Sequence, residues 1–323
     1  MSSELLDADH DGHYEHEEDH EHGPLAELVT VRDWLRHAVS RFNRASIFCG
    51  HGVADTYDEA VWLLLGSLAL PFERLDVFLD ACIPTDERVA LNEAIERRAV
   101  DRVPTAYLLG EAWLGDFRFR VDERVIVPRS FCAELLEDGL APWIAEADAV
   151  ESALDLCTGS GCLAILLAHA FPHADVVAAD LSEDALQVAH ANVADYGLED
   201  RIEVLASDVF DQLGGRRFDL ILSNPPYVTA ESVAALPPEY RHEPAMALGA
   251  GDDGLDVVRR LLAGAADHLN EGGLLVVEVG YNRDLVEAAF PALPFTWLST
   301  AGGEDMVFLL SREDLVAANA SGS

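Results

Sequence analysis

The sequence contains no lysine. All 21 basic residues are arginine, set against 59 Asp and Glu, for a formal net charge of −38. So acidic a chain has no basic footprint for a phosphate backbone, which argues against DNA as a partner. The carboxylates also repel one another in dilute buffer. High salt relieves that repulsion, because the Debye length falls to about 3 Å at 1 M. We read the acid excess as adaptation to a salty cytoplasm. A codon bias toward arginine explains the missing lysine but not the surplus acid.

Cysteine is scarce: Cys49, Cys82, Cys132, Cys157 and Cys162. The number is odd and no C-x-x-C pair occurs, which speaks against a disulfide framework or a zinc site. These residues read as small buried side chains, and no metal is expected. Long apolar runs are missing as well. None reaches the ~20 residues of a membrane helix, and the longest, 61–70, is interrupted by Gly66 and Ser67. No basic, apolar signal opens the chain. A cytoplasmic protein without a membrane partner is the simplest reading. The 323 residues, 50% apolar, are enough for two domains.

Along the chain, residues 1–24 read as a disordered acidic tail in which His10, His13, His16, His20 and His22 hold a metal loosely at best. From Thr30, an N-cap with Asp33 three residues on, the residues Val31, Trp34, Leu35, Ala38, Val39 and Phe42 recur on one helical face. Further helices fit 57–70 and 85–101, which makes 25–110 a small helical domain. Over 113–127 the period becomes two, with turns at Gly115–Asp116 and Asp122–Glu123. This is a β-hairpin linker, bounded as 111–128.

The next domain, 129–315, alternates strands near 153–157, 175–180, 202–206, 218–223 and 273–279 with helices at 161–170, 183–196 and 254–270. That pattern predicts an α/β fold with a doubly wound, mostly parallel sheet. Residues 295–298 and 306–310 flank Gly302–Gly303 and predict a closing hairpin with an antiparallel last strand. A short tail, 316–323, completes the chain.

Three strand ends carry candidate chemistry. The first runs from Asp155 to Cys162, where Gly159 and Gly161 allow a sharp turn and close approach to a ligand. Many α/β folds have such a loop for packing alone. The second ends at Asp180, 19 residues after Gly161, where a carboxylate can accept ribose hydroxyls or merely cap a helix at Ser182–Glu183. The third ends at Ser207-Asp208-Val209, where a carboxylate can meet an adenine amino group.

The fourth strand ends in Ser223-Asn224-Pro225-Pro226-Tyr227. Two prolines stop a strand, but a stop needs neither Asn before them nor Tyr after. An amide NH2 has two donors and a poor lone pair. The Asn224 oxygen and the Pro225 carbonyl can accept both hydrogens, and Tyr227 can stack on the flat amide.

These motifs resemble the HemK-like family of N(5)-glutamine protein methyltransferases. The segments Thr30–Arg36, Phe48–Gly52, Val125–Ser130, Leu236–Pro244 and Gly251–Asp256 resemble its ribosomal branch, which acts on the third large-subunit ribosomal protein. The resemblance spans roughly 27–315. It implies a helical recognition domain, a hairpin linker and a Rossmann-like, seven-stranded catalytic domain. It implies S-adenosyl-L-methionine held by Asp155, Thr158, Gly159, Ser160, Gly161, Asp180, Leu181, Asp208, Val209 and Asn224. It places substrate glutamine at Asn224, Pro225, Pro226 and Tyr227, and a site border at 242–256. The rival readings are the same reaction on a release factor and an adenine-N6 DNA methyltransferase, the latter opposed by charge.

Overall fold

A computed structural model describes residues 25–321, so the tail expected at 1–24 lies outside the described residues. The helix Val31–Ala45 starts at a capping box in which Thr30 and Asp33 satisfy each other's N–H groups. Val31, Trp34, Leu35, Ala38 and Phe42 face inward from it, onto Leu63 and Leu64 of the helix Thr56–Ser67 and Leu91 and Ile95 of the helix Thr85–Glu96. Each such large side chain contributes about 1.5–3 kcal/mol by leaving water. The helix expected over 85–101 stops at Glu96 and continues as a π turn, Arg97–Asp101. The wider turn, followed by Arg102 at φ 65°, brings Arg98 and Arg102 toward one carboxylate described below.

Strands β1 (Glu111–Leu114) and β2 (Phe117–Arg120) form an antiparallel hairpin about Gly115–Asp116. The two-residue period predicted strand through 127, yet 122–130 is irregular. Val125 and Val127 instead pack with Ala185 and Val188 of the helix Glu183–Asp195. Asn192 of that helix holds the linker: its Oδ1 accepts the Arg120 N–H (2.7 Å), and its Nδ2 donates to the carbonyls of Arg120 (3.1 Å) and Ser160 (2.8 Å).

The second sheet comprises β3 (Ser152–Leu156), β4 (Asp175–Asp180), β5 (Ile202–Ala206), β6 (Phe218–Ser223), β7 (Leu269–Glu278), β8 (Thr296–Thr300) and β9 (Gly303–Ser311). Their order is β5-β4-β3-β6-β7-β9-β8. The first five are parallel, and β9 runs antiparallel to both neighbours. Ala153, Val176 and Leu220 bury on one face with the helix Cys162–Ala170; Leu154, Val177 and Ile221 bury on the other with the helix Asp256–His268. Burial of both faces explains why these strands read as unbroken apolar runs. The strand order reverses between β3 and β6, where a doubly wound fold opens its ligand crevice.

Past β9, Ser311 and Asp314 exchange hydrogen bonds and start the helix Arg312–Ser321, so the segment from 316 is helical as far as 321. Cys132 and Cys162 are buried and Cys49 and Cys157 half-buried, but Cys82 is exposed, a departure from the buried role expected of all five. It bridges to Thr30 at the margin of the helical domain.

Among described acidic side chains, five are buried: Glu59, Asp155, Glu239, Glu243 and Glu278. The other described Asp and Glu side chains are exposed or partly so. Melting temperature should therefore rise from dilute buffer to about 1 M salt. A flat or falling melting curve would reject salt adaptation and leave codon usage.

Candidate active site

A cleft opens at the C-terminal ends of β3, β4, β5 and β6, where a doubly wound sheet binds its ligands. Gly159, Asp180, Leu181, Asp208, Val209, Asn224 and Pro226 line it, so four separated sequence motifs converge. The rest of the β3 loop supports it from beneath. Asp155 is fully buried and accepts from Thr158 Oγ1 at 2.5 Å. Burial pushes the Asp155 carboxyl up to about 7. The Ser160 carbonyl goes to Asn192. At Gly161, at φ 79°, a Cβ would come 3.1 Å from the Ala189 Cβ. That glycine sets how closely the loop packs on the helix Glu183–Asp195 and does not line the cleft.

Asp180 accepts the Gly159 N–H through Oδ2 and the Ser182 N–H through Oδ1, both at 2.9 Å. A carboxylate has about four lone-pair sites on its two oxygens, so Asp180 keeps capacity for a further donor. Burial raises the Asp180 carboxyl above its ordinary range. Leu181 is 57% exposed at the cleft, an apolar surface suited to a flat base. Cys157 (φ 61°) and Val209 (φ 54°) also line the cleft in left-handed backbone. For β-branched valine that conformation is a real outlier, and such strain concentrates at functional sites. These features fit an adenosyl group. Asp208 has one engagement its sequence position did not reveal. Its Oδ1 accepts from Arg260 Nη1 at 2.6 Å, so Arg260 shares the carboxylate and joins the cleft wall.

At the end of β6, the Ser223 hydroxyl donates to the Leu156 carbonyl at 2.8 Å and ties the two halves of the crevice together. Asn224 then presents a side-chain amide that makes no hydrogen bond with any described residue. Pro225 is buried, and Pro226 is half-buried on the cleft wall. Tyr227 does not line the cleft. Its ring packs on Gly280, where a Cβ would lie 2.7 Å away, and its hydroxyl is 3.4 Å from Glu278 Oε1. Glu278 accepts from Ser130 Oγ (2.6 Å) and the Phe131 N–H (2.9 Å), and burial holds its carboxyl high. The loop 242–256, expected at the border, supplies Pro244, Met246 and Ala247 to the wall. Arg124, Val125 and Ile126 line it too, although linker residues carried no such signal in their period.

A buried ionic framework joins this border to the helical domain. Glu239 Oε1 accepts from the Phe48 N–H (2.9 Å), Arg98 (3.3 Å) and Arg102 (3.3 Å). Arg98, 1% exposed, also donates to Glu59 Oε1 (2.5 Å) and the Phe48 carbonyl (2.8 Å). His242 Nε2 meets the Asp101 carbonyl at 2.8 Å. Arg129 grips Glu243 through two hydrogen bonds and stacks over Tyr240. Burial alone would raise the Glu243 carboxyl, but His51 and Arg129 outweigh it and hold it at about 2.

Comparison with known proteins follows the same lines. A family profile described as "Methyltransferase small domain" matches residues 130–236. A "Ribosomal protein uL3 glutamine methyltransferase" of Neisseria gonorrhoeae is 58% identical over 290 residues, 90% of this chain and 97% of the relative. Proteins of the same name from Bordetella pertussis and Francisella tularensis are 55% and 42% identical, each across 90% of this chain and 97% and 92% of their own lengths. With identity this high across both the helical and catalytic parts, the chain belongs to the ribosomal protein uL3 glutamine methyltransferase family.

Proposed function

We propose that this protein methylates the side-chain amide nitrogen of a glutamine in ribosomal protein uL3, using S-adenosylmethionine, in the cytoplasm. The free Asn224 amide, facing the same cleft as Gly159 and Asp180, carries the reading. S-adenosylmethionine supplies an electrophilic methyl on a sulfonium that is its own leaving group. Asp180 accepts the ribose hydroxyls, Leu181 and Val209 flank the base, and the free oxygen of Asp208 is open to its amino group.

The substrate nitrogen is a poor nucleophile because its lone pair is delocalised into the carbonyl. Asn224 Oδ1 and the Pro225 carbonyl accept its two hydrogens, fix its direction and favour the positive charge that grows on it. Glu278 and Gly280 hold the Tyr227 ring, three residues along from Asn224. The product nitrogen sheds its extra proton to water, so no dedicated base is needed.

Labelled S-adenosylmethionine offered with purified uL3, a release factor and duplex DNA tests the proposal. Label on uL3 is expected. Label on the release factor or DNA instead would replace it. Asp180→Ala should weaken S-adenosylmethionine binding by about 1.5–3 kcal/mol, the scale of hydrogen bonds to a charged group. Unchanged affinity by calorimetry would remove Asp180 from the ribose site.

A further inference from the structure

A second groove lies where the helical domain meets the linker hairpin. Its lining includes Asp58 and Trp62 of the helix Thr56–Ser67, Phe72 and Glu73 of the short turn that follows it, and Trp113 and Asp116 of the hairpin. Two of the chain's five tryptophans are here, and Trp113 is 44% exposed. Tryptophan is enriched where proteins grip one another, but exposure alone names no occupant.

His51, 3% exposed, lines the groove as well. Charge names the occupant. Asp58, Glu73 and Asp116 are exposed, form no ion pair with any described residue, and no arginine lines the groove. The complementary occupant is an extended, positively charged protein segment.

His51 also links the groove to the catalytic cleft. Its Nε2 lies 3.5 Å from Glu243 Oε1 and its ring 4.6 Å from that of Tyr240. Glu243 immediately precedes Pro244, which forms part of the cleft wall. We infer that this groove docks an arginine- or lysine-rich segment of the substrate protein while the glutamine enters the cleft. The inference rests on the uL3 reading and names the surface that holds that substrate. Ribosomal proteins contact RNA phosphates and are rich in such segments.

The test compares wild type with Trp113→Ala and with the triple change Asp58→Arg, Glu73→Arg, Asp116→Arg. On full-length uL3, KM should rise roughly tenfold or more. Maximal turnover and S-adenosylmethionine affinity should stay unchanged, since none of these side chains lines the cleft. On a short peptide spanning only the methylated glutamine, variants and wild type should match. Circular dichroism confirms that each variant is folded. If wild type labels uL3 while both variants keep its KM, the groove assignment is overturned and the substrate reading survives. If wild type leaves uL3 unlabelled, the substrate reading falls and the docking inference with it. A shift in oligomeric state by light scattering with unchanged KM gives the groove to a second copy of the chain, and overturns the inference too.

Discussion

Asn224→Ala is expected to slow single-turnover methylation of uL3 by roughly 100- to 1000-fold, the loss seen when one preorganised transition-state contact is removed. The side chain lines the cleft at the end of β6 and spends its amide on no described residue. Alanine removes the acceptor and leaves the substrate amide free to rotate. The effect should fall on turnover more than on binding, because the contact strengthens as charge builds on nitrogen. Asn224→Asp keeps an oxygen of similar size in the same place and should retain more activity than alanine. Circular dichroism and S-adenosylmethionine affinity separate loss of chemistry from loss of fold. A wild-type rate from Asn224→Ala would move the acceptor cradle elsewhere and reduce the β6 end to a rigid strand terminus.

Arg98→Ala should destabilise the protein by about 3–5 kcal/mol, the cost of leaving a buried charge without its partner. The guanidinium sits between Glu59 and Glu239, both buried, and also holds the Phe48 carbonyl. Its loss leaves Thr105 as the remaining partner of Glu59 Oε1, and Arg102 and the Phe48 N–H as those of Glu239. The triple variant Arg98→Met, Glu59→Gln, Glu239→Gln removes the charges together and should recover much of the loss. Denaturant unfolding measures both at one fixed salt concentration. An Arg98→Ala protein as stable as wild type would show that water or rearranged neighbours satisfy the two carboxylates.

The network also explains why the Leu236–Pro244 segment is held against two domains. Glu239 is tied to the helical side through Arg98 and Arg102, and Glu243 to the linker through the Val127 N–H and to Arg129 just beyond it. Between them, Tyr240 packs against the tilted His51 ring and the Arg129 guanidinium. A loop fixed at both ends presents Pro244 and Met246 to the cleft with little freedom. This is how the helical domain can influence chemistry without entering the catalytic cleft.

What local sequence determined is the set of elements and their order. The capping pair Thr30–Asp33, the 3.6-residue period of Val31–Phe42 and the apolar runs of β3, β4 and β6 each act over a few residues, so they are legible in the chain. The convergence of Gly159, Asp180, Asp208 and Asn224 was legible as well, because in a doubly wound sheet successive strand ends open into one crevice. Tertiary structure alone decided which of those groups remain free. Asp208 shares its carboxylate with Arg260, 52 residues away, and Glu239 meets Arg98 across 141 residues. Tyr227 turned to Gly280 and Glu278, and Ile126 of the linker joined the cleft. An ion pair needs only opposite charges brought within reach and leaves no periodic trace along the chain. Burial then decides whether a carboxylate is one of many solvated ones or, like Glu239, a fixed point between domains.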